Sequence, residues 1–127
     1  MSSQHIRHGV GAVRPYLYGP LELTKFVEKV FGAVEVECQW MGDAACHYEA
    51  RIGDSTIVIE AGEHAPEIVE TVASVYVYVE DVDVTWKRAM EAGATPVAEP
   101  EDKPYQERGA GFQDAHGNTW YVSTYTG

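Results

Sequence analysis

The second half of this chain repeats the layout of its first half, and this repeat constrains the fold more than any other feature. Gly32 follows a helical segment in the first half, and Gly53 stands in a turn 21 residues later. Gly93 and Gly117 hold the matching places in the second half, 24 residues apart. Each half has the pattern of one strand, one helix and three short strands. A repeat of this kind indicates similar modules packed together. The sequence therefore predicts an α+β fold in which two βαβββ modules form a cupped mixed sheet with helices on its outer face.

The length and composition fit one globular domain. The chain has 127 residues, of which 45% are hydrophobic, and this is enough for a core of its own. We expect a single domain over residues 1–127, with module one at about 11–61 and module two at about 73–125. A polar linker over residues 62–67 joins the modules. A second loop, over residues 99–104, is a candidate lid or a part of the rim of the cup.

Two helices are predicted from amphipathic spacing and from the residues at their ends. Pro20 opens the first helix, because a proline at the first helical position loses no hydrogen bond, and Gly32 ends it. The second helix covers residues 82–92 and is capped by Asp81 or Asp83.

Strict alternation of apolar and polar residues marks the strands. Residues 74–79 place three valines on one face and a serine and two tyrosines on the other. A two-residue turn at Gly53 and Asp54 would make a hairpin that pairs His47 with Glu60. This register keeps the apolar residues of both strands on one face. We therefore predict an apolar face that the helices cover and a polar face that forms the inside of the cup.

Tyrosines are concentrated on the predicted polar face. The five expected there are Tyr16, Tyr18, Tyr76, Tyr78 and Tyr121. Such a wall suits a flat or amphipathic small molecule, because tyrosine offers both a ring for stacking and a hydroxyl for hydrogen bonding. The alternative is that strands simply favour tyrosine on half-exposed faces.

Ionisable side chains accompany the tyrosines on this face. His47 and Glu60, with Glu49 and Arg51 beside them, either form a general base or satisfy each other as a cross-strand polar pair. Arg14 either clamps a carboxylate or phosphate of a ligand or forms an ion pair with an acid of the chain, such as Glu60.

The charge balance and the cysteines restrict the classes of partner and the compartment. A net charge of −11 argues against nucleic acids and anionic membranes, because both need a basic footprint. Since no apolar run is long enough for a membrane span and the start lacks an export signal, we expect a cytoplasmic protein. Cys38 and Cys46 alternate onto the apolar face, which favours buried, reduced, structural thiols.

Several segments together resemble a known family. They are residues 14–17, 31–33, 47–55, 77–83, 92–94, 107–109 and 114–120, in the family's order and over nearly the whole chain. They resemble the glyoxalase/bleomycin-resistance/dioxygenase (vicinal oxygen chelate) superfamily, in particular its PhnB-like branch. The resemblance implies two modules cupped around a small ligand, usually in a homodimer.

Many members of that superfamily hold a divalent metal on inward side chains of the first, fourth, fifth and eighth strands. Carried over, these positions fall on Arg14, Glu60, Ser74 and Tyr121. Glu60 alone is a ligand of the usual kind, and a guanidinium such as Arg14 repels a metal. We therefore expect no metal and no other cofactor.

The sequence predicts a metal-free protein that binds a small molecule, such as a toxic or aromatic compound, in a tyrosine-lined cup. The predicted ligand-binding residues are Arg14, Tyr16, His47, Glu49, Glu60, Ser74, Tyr76, Tyr78 and Tyr121. One alternative is a lyase, isomerase or dioxygenase-type enzyme of the same superfamily that acts through His47 and Glu60 or through a bound divalent metal. A third hypothesis is a protein–protein module whose cup holds a partner's N-terminal segment, with His5 and His8.

Overall fold

The computed structural model describes residues 4–64 and 70–127, so residues 65–67 of the predicted linker lie outside the described residues. Module one contains β1 (Tyr16–Gly19), α1 (Glu22–Phe31), β2 (Val34–Trp40), β3 (Ala45–Ile52) and β4 (Ser55–Gly62). Module two contains β5 (Ser74–Tyr78), α2 (Val82–Glu91), β6 (Thr95–Lys103), β7 (Glu107–Gln113) and β8 (Thr119–Tyr125). A short 3-10 turn, Arg7–Gly9, precedes β1. Within the described ranges, no helix is long and apolar enough to cross a membrane.

The predicted α+β fold of two βαβββ modules is confirmed. Each module has its own four-stranded mixed sheet, with the strand order β1-β4-β3-β2 in the first and β5-β8-β7-β6 in the second. In both modules the first and last strands run parallel, so that Tyr18 is opposite Glu60 and Tyr76 is opposite Tyr121. The remaining strand pairs are antiparallel. The repeat in the sequence is therefore a repeat in topology.

The predicted hairpin between β3 and β4 has the register that the sequence indicates. Ile52 pairs with Ser55 across the turn, and His47 pairs with Glu60 further along the ladder. Gly53 adopts a left-handed conformation with φ 60°, which a glycine reaches without strain. The hairpin therefore brings His47 and Glu60 together on the polar face.

Strand β2 departs from the simple alternation that the sequence suggests. Glu35 pairs with Ala50 and Glu37 pairs with Glu49, so Val36 is an extra residue in the ladder. Such a β-bulge reverses the facing of the residues before it relative to those after it. As a result, Glu35 and Cys38 lie on the same, helix-facing side of β2. Simple alternation predicts them on opposite faces.

The loop predicted over residues 99–104, as a lid or rim of the cup, is wrong, because β6 continues through this segment to Lys103. Proline cannot donate a hydrogen bond to a ladder, and Pro100 lies in a register irregularity between Ala98 and Glu101, where no partner is required of it. Strand β6 is also an edge strand, where proline is tolerated. The segment therefore forms an edge of the second sheet.

Both helices end and begin close to their predicted positions. Helix α1 starts two residues after Pro20, whose carbonyl accepts a hydrogen bond from the Leu23 N–H at 2.9 Å. Gly32 ends α1 in the left-handed conformation, with φ 66°. The Asp81 carboxylate accepts a hydrogen bond from the Val84 N–H at 3.1 Å and thereby caps α2.

An aromatic cluster joins the two modules in one core. The Phe31 ring of α1 lies 4.9 Å from the Trp120 ring and 6.2 Å from the Phe112 ring, both of module two. Phe26 of α1 and Trp86 of α2 also contact Phe112, each with ring centroids 6.3 Å apart. Because aromatic side chains dominate the energetics of burial, neither module has a complete core by itself.

A buried polar network also connects the modules. The Asn118 side chain donates to the Tyr18 carbonyl at 3.1 Å and accepts from the Ala73 N–H at 2.9 Å. The Asp114 carboxylate in turn accepts from the Asn118 side chain and from the Trp120 indole N–H, both at 2.9 Å. This network fixes β1 of module one against the start of β5 in module two.

Candidate functional site

Each sheet carries one cluster of ionisable and hydroxyl side chains on its polar face. On the first sheet this is the His47 cluster, consisting of Arg14, Tyr16, His47, Glu49 and Glu60. On the second sheet it is the Glu107 cluster, consisting of Tyr76, Tyr78, Glu107 and Ser123. The side-chain hydrogen bonds within each cluster join residues of the same module.

In the His47 cluster both ring nitrogens of the histidine contact carboxylates. The Nε2 atom lies 2.8 Å from Glu49 Oε2, and Nδ1 is hydrogen-bonded to Glu60 Oε1. Partial burial of the ring lowers its pKa, but the hydrogen bonds and charges of Glu49 and Glu60 outweigh burial and raise the pKa of His47 above its ordinary value. The His47–Glu60 pair is therefore present as the sequence predicts, with Glu49 as a second partner.

Arg14 lies beside this cluster, and its guanidinium is engaged on several sides. Its Nη1 atom donates to Glu49 Oε1 at 2.8 Å, and its Nε atom donates to the Gly11 carbonyl at 2.8 Å. Its Nη2 atom donates to the Val10 carbonyl at 3.0 Å and to the Arg7 carbonyl at 2.5 Å. The ion-pair alternative for Arg14 is thus the one seen within the chain, with Glu49 rather than Glu60 as the acid. A ligand-binding role for Arg14 stays a prediction.

The segment over residues 7–11 lies on its own module. Arg7 forms an ion pair with Glu37 of β2 at 2.6 Å, and His8 contacts the same carboxylate at 3.1 Å. The hydrogen bond from Arg7 is the largest cause of the lowered pKa of Glu37. Arg14 and Glu37 therefore hold this segment at two points. The hypothesis that it fills a partner's cup stays a prediction.

In the Glu107 cluster a buried carboxylate accepts hydrogen bonds from three hydroxyl groups. Tyr76 donates to Oε1, Tyr78 donates to Oε2 at 2.5 Å, and Ser123 donates to Oε1 at 2.7 Å. These bonds lower the pKa of Glu107, and the bond to Glu107 raises the pKa of Tyr78 to about 12. Tyr76 and Tyr78 pack edge to face, with ring centroids 5.5 Å apart. One carboxylate therefore fixes the orientation of two half-exposed tyrosines.

Glu107 and Ser123 are residues of this cluster that the sequence does not predict. On β7 the residues that follow Glu107 on the polar face are Gly109 and Gly111, which have no side chain to reveal a polar stripe. Ser123 is 1% exposed, and a serine in a strand carries no signal of such a bond. In the β7–β8 ladder Gly109 pairs with Ser123, and Glu107 is two residues before Gly109 on the same face. The two residues therefore become neighbours only through the pairing of these strands.

A pocket of about 180 Å³ lies on the polar face of the second sheet. Its lining includes Tyr76, Lys103, Tyr105, Gly109 and Tyr121. Gly109 adds no side chain to this lining, and a Cβ atom there would be in ordinary contact with the Val122 carbonyl oxygen at 3.4 Å and the Lys103 side chain at 3.6 Å. The tyrosines predicted for the cup at positions 76 and 121 are thus brought together around one pocket.

A second pocket, of about 250 Å³, lies where the modules meet. Pro15, Ile57 and Val75 contribute apolar walls, and Tyr76 and Tyr78 contribute aromatic ones. Tyr76 therefore borders both pockets. Tyr16, by contrast, contacts Tyr18 and Glu60 on the first sheet, with the two tyrosine rings 5.5 Å apart.

The residues at the superfamily's metal positions do not fit a divalent metal. Glu60 is already bonded to His47, and the Arg14 guanidinium has no lone pair to donate. Ser74 and Tyr121 carry neutral hydroxyls, which are weak ligands compared with histidine or carboxylate. Among residues 4–64 and 70–127, no group of three or more His, Cys, Asp or Glu side chains is arranged to hold a metal.

Two βαβββ modules with a shared core and a polar cluster on each sheet define a paired-module class of α+β proteins. The family model of the glyoxalase/bleomycin resistance protein/dioxygenase superfamily matches residues 22–122, so the chain belongs to this superfamily. No curated protein shows significant sequence similarity to the chain. The PhnB-like branch, the homodimer and the cytoplasmic location stay predictions.

Solved structures share this fold at low sequence identity. TioX from Micromonospora sp. ML1 has a TM-score of 0.70 and 21% identity, over 90% of this chain and 95% of that one. The fosfomycin resistance protein FosX from Mesorhizobium loti has a TM-score of 0.65 and 23% identity, over 92% and 91%. A family enzyme from Burkholderia phytofirmans PsJN has a TM-score of 0.68 and 18% identity, over 91% and 98%.

Proposed function

We propose that this chain is a small-molecule binding protein that holds its ligand against the polar face of module two without a metal ion. The observation that carries this proposal is the set of three tyrosines, Tyr76, Tyr105 and Tyr121, around the pocket of about 180 Å³. The hydroxyl of Tyr76 is fixed by its hydrogen bond to the Glu107 carboxylate. Tyrosines held in place lose little entropy on binding, because their orientation is already fixed. A planar or amphipathic molecule is the class of ligand that such a wall favours.

The hydrogen bonds of the His47 cluster argue against a role for His47 in proton transfer. A general base needs a free nitrogen within reach of the substrate, but both nitrogens of His47 are bonded to carboxylates. The enzyme alternative through His47 and Glu60 would first have to break one of these bonds. The donor set at the superfamily's metal positions likewise supports a metal-free protein.

We propose further that two copies of the chain complete the site. Pockets that enclose a drug-sized ligand have volumes of about 300–1,000 Å³, and each of the two pockets that share Tyr76 is smaller. Tyr76 and Tyr78 are 52% and 62% exposed, although hydrogen bonds to Glu107 hold both side chains in place. A second chain laid against this face would enclose the ligand and bury the rings. Sedimentation equilibrium tests this, and a monomer at all concentrations with and without ligand would contradict it.

The binding site is tested by two matched substitutions on β8. Tyr121 lines the pocket, whereas Tyr125 lies on the same strand and the same face but outside the pocket lining. Small aromatic compounds would be screened by their effect on the melting temperature, and the affinity of the best compound measured by calorimetry. We expect Tyr121→Leu to weaken binding about 10-fold, in line with the loss of one aromatic contact and one hydroxyl, and Tyr125→Leu to leave affinity unchanged. Equal losses in both variants would contradict the proposed location.

The metal-free part of the proposal has its own measurement. Melting temperatures would be recorded for the untagged protein with chelator and with Zn²⁺, Ni²⁺, Mn²⁺ or Fe²⁺. We expect no change with chelator and no metal in the purified protein. A stoichiometric metal with a chelator-sensitive melting temperature, retained in the Cys38→Ser variant, would favour the metalloenzyme alternative instead.

A further inference from the structure

We propose that Cys38 and Cys46 form a site for a soft metal ion that takes two thiolate ligands, on the helix-facing side of module one. This site lies on the opposite face of the first sheet from the His47 cluster. It is independent of the small-molecule site proposed for module two.

The strand register places the two thiols side by side. Cys38 pairs with Tyr48, and Cys46 pairs with Trp40, so the two cysteines are diagonal neighbours on one face of the β2–β3 ladder. Both cysteines line the same groove on this face. Both are free thiols, Cys46 buried and Cys38 partly buried.

The spacing of the backbones disfavours a disulfide and suits a bridging ion. Diagonal neighbours across an antiparallel pair are about 7–8 Å apart, whereas disulfide-bonded residues have Cα atoms about 4.4–6.8 Å apart. Two metal–sulfur bonds of about 2.3 Å each separate the sulfurs by about 4.6 Å when the ion is linearly coordinated. The pair can therefore hold an ion between its sulfurs without the backbone movement that a disulfide would require.

A groove gives access to the pair from solvent. It has a volume of about 290 Å³ and lies between the start of α1 and strands β2 and β3. Leu21, Trp40 and Tyr48 are among its lining residues, together with both cysteines. The β-bulge in β2 adds Glu35 to this lining, which also contains Glu22 and Lys25, so two carboxylates stand against one ammonium group.

The chemistry selects a soft ion with low coordination number. Thiolates bind soft metals preferentially, and two ligands suffice for Hg(II), which commonly takes two thiolates in a line. Two S–H bonds break, two metal–sulfur bonds form and two protons pass to solvent, with no change of oxidation state. The product with a divalent ion is neutral at the metal, which suits an apolar groove better than a charged complex. Burial raises the pKa of Cys46 to about 12, so the ion has to displace that proton.

The test uses Hg(II) as the probe on the reduced protein of 127 residues. Native mass spectrometry would count the ions bound per chain, and glutathione would be added as a competing monothiol. We expect one ion per chain. We also expect Cys38→Ser to lose the ion at a glutathione concentration about 100-fold lower than the unsubstituted protein, because only a chelating pair gains from intramolecular binding of the second ligand.

A matched control keeps the number of thiols constant. In the double variant Cys38→Ser, Gln39→Cys the second thiol moves to the opposite face of β2, because Gln39 pairs with His47 on the polar side. We expect this variant to lose the ion as readily as Cys38→Ser. Two ions per unsubstituted chain, or equal resistance to glutathione in the unsubstituted protein and the control, would overturn the proposal. Both variants change residues that are not fully buried, and their melting curves check that they fold.

Discussion

His47 holds a proton more tightly than a free imidazole does, because two carboxylates contact its two nitrogens. With the proton bound, both nitrogens donate, and the cluster contains two positive and two negative groups if Arg14 is included. Without the proton, one carboxylate is left facing a lone pair. The protonation of His47 therefore determines whether both carboxylates receive a hydrogen bond from its ring.

We predict that His47 makes the folding stability depend on pH. Because the pKa is higher in the folded than in the unfolded chain, the contribution is complete below about pH 6.5, the unfolded value, and is lost as pH rises through the folded value. The free energy of unfolding in urea, measured between pH 5.5 and 9, should fall more steeply for the unsubstituted protein than for His47→Gln. Parallel pH profiles would contradict the prediction.

We predict that Glu107 controls the ionisation of Tyr78. The hydrogen bond to the carboxylate holds the pKa of Tyr78 at about 12, because removing the proton would place two negative charges in contact. In Glu107→Gln this charge is gone, so the pKa should move toward the ordinary tyrosine value of about 10. Ultraviolet titration of tyrosinate measures the change.

The control for this titration is Glu101→Gln, since Glu101 is an exposed acid that pairs with Lys103. It should leave the tyrosine titration as it is. Identical titrations of Glu107→Gln and the unsubstituted protein would mean that the carboxylate does not control Tyr78.

At the scale of the elements, turns and strict alternation were readable from the sequence, whereas irregular strands were not. Gly53 and Asp54 fixed the β3–β4 register, because a two-residue turn leaves one way to pair the flanking residues. The bulge at Val36 left no signal, since valine fits either face of a strand and the extra residue shows only against its partner. Pro100 suggested a loop, yet an edge strand with an irregular ladder accommodates it.

The candidate site was predictable only in part for a similar reason. His47, Glu60, Tyr76 and Tyr121 follow from alternation and register, which the sequence carries. Glu107 does not, because its role depends on hydroxyls from two other strands. Contacts across a sheet are set by which strands are neighbours, and strand order is a property of the packed molecule.

We predict that removing the cap of α2 weakens this element measurably. In Asp81→Ala the Val84 N–H loses its acceptor at the helix start. The free energy of unfolding should fall by about 1 kcal/mol, the usual cost of losing an aspartate cap. Urea denaturation measures it, with the adjacent exposed Glu80→Ala as the control that should be close to neutral. An equal change in both variants would show that the cap is not the cause.

At the scale of the whole molecule, the shared core makes the two modules one folding unit. Phe31 of module one packs on Trp120 and Phe112 of module two, and Asn118 bonds to backbone groups on both sides of the junction. Separate melting of the modules would expose these aromatic rings to water. A single cooperative transition is the expected behaviour of such a domain.

We predict a large loss of stability in Asn118→Ala. The side chain is fully buried, and its removal leaves the Ala73 N–H and the Tyr18 carbonyl without their partner. The free energy of unfolding should fall by about 2–3 kcal/mol, because buried polar groups without partners are costly. The control is Gln113→Ala at the same hairpin, where a part-buried hydrogen bond of 3.3 Å is lost.

Urea denaturation followed by tryptophan fluorescence and by circular dichroism measures both the loss and its cooperativity. The two probes should give the same midpoint in Asn118→Ala as well as in the unsubstituted protein. Midpoints that separate in the variant would show that the modules unfold independently once the junction is broken.

Glu107 also decides what kind of molecule can satisfy the tyrosines around it. Each of three hydroxyl groups, those of Tyr76, Tyr78 and Ser123, donates its one proton to the same carboxylate. The oxygens that remain toward the open face of the sheet have lone pairs and no proton to give. A guest that contacts these hydroxyl oxygens must therefore bring its own N–H or O–H groups to them, and a guest that offers them only acceptors places oxygen against oxygen.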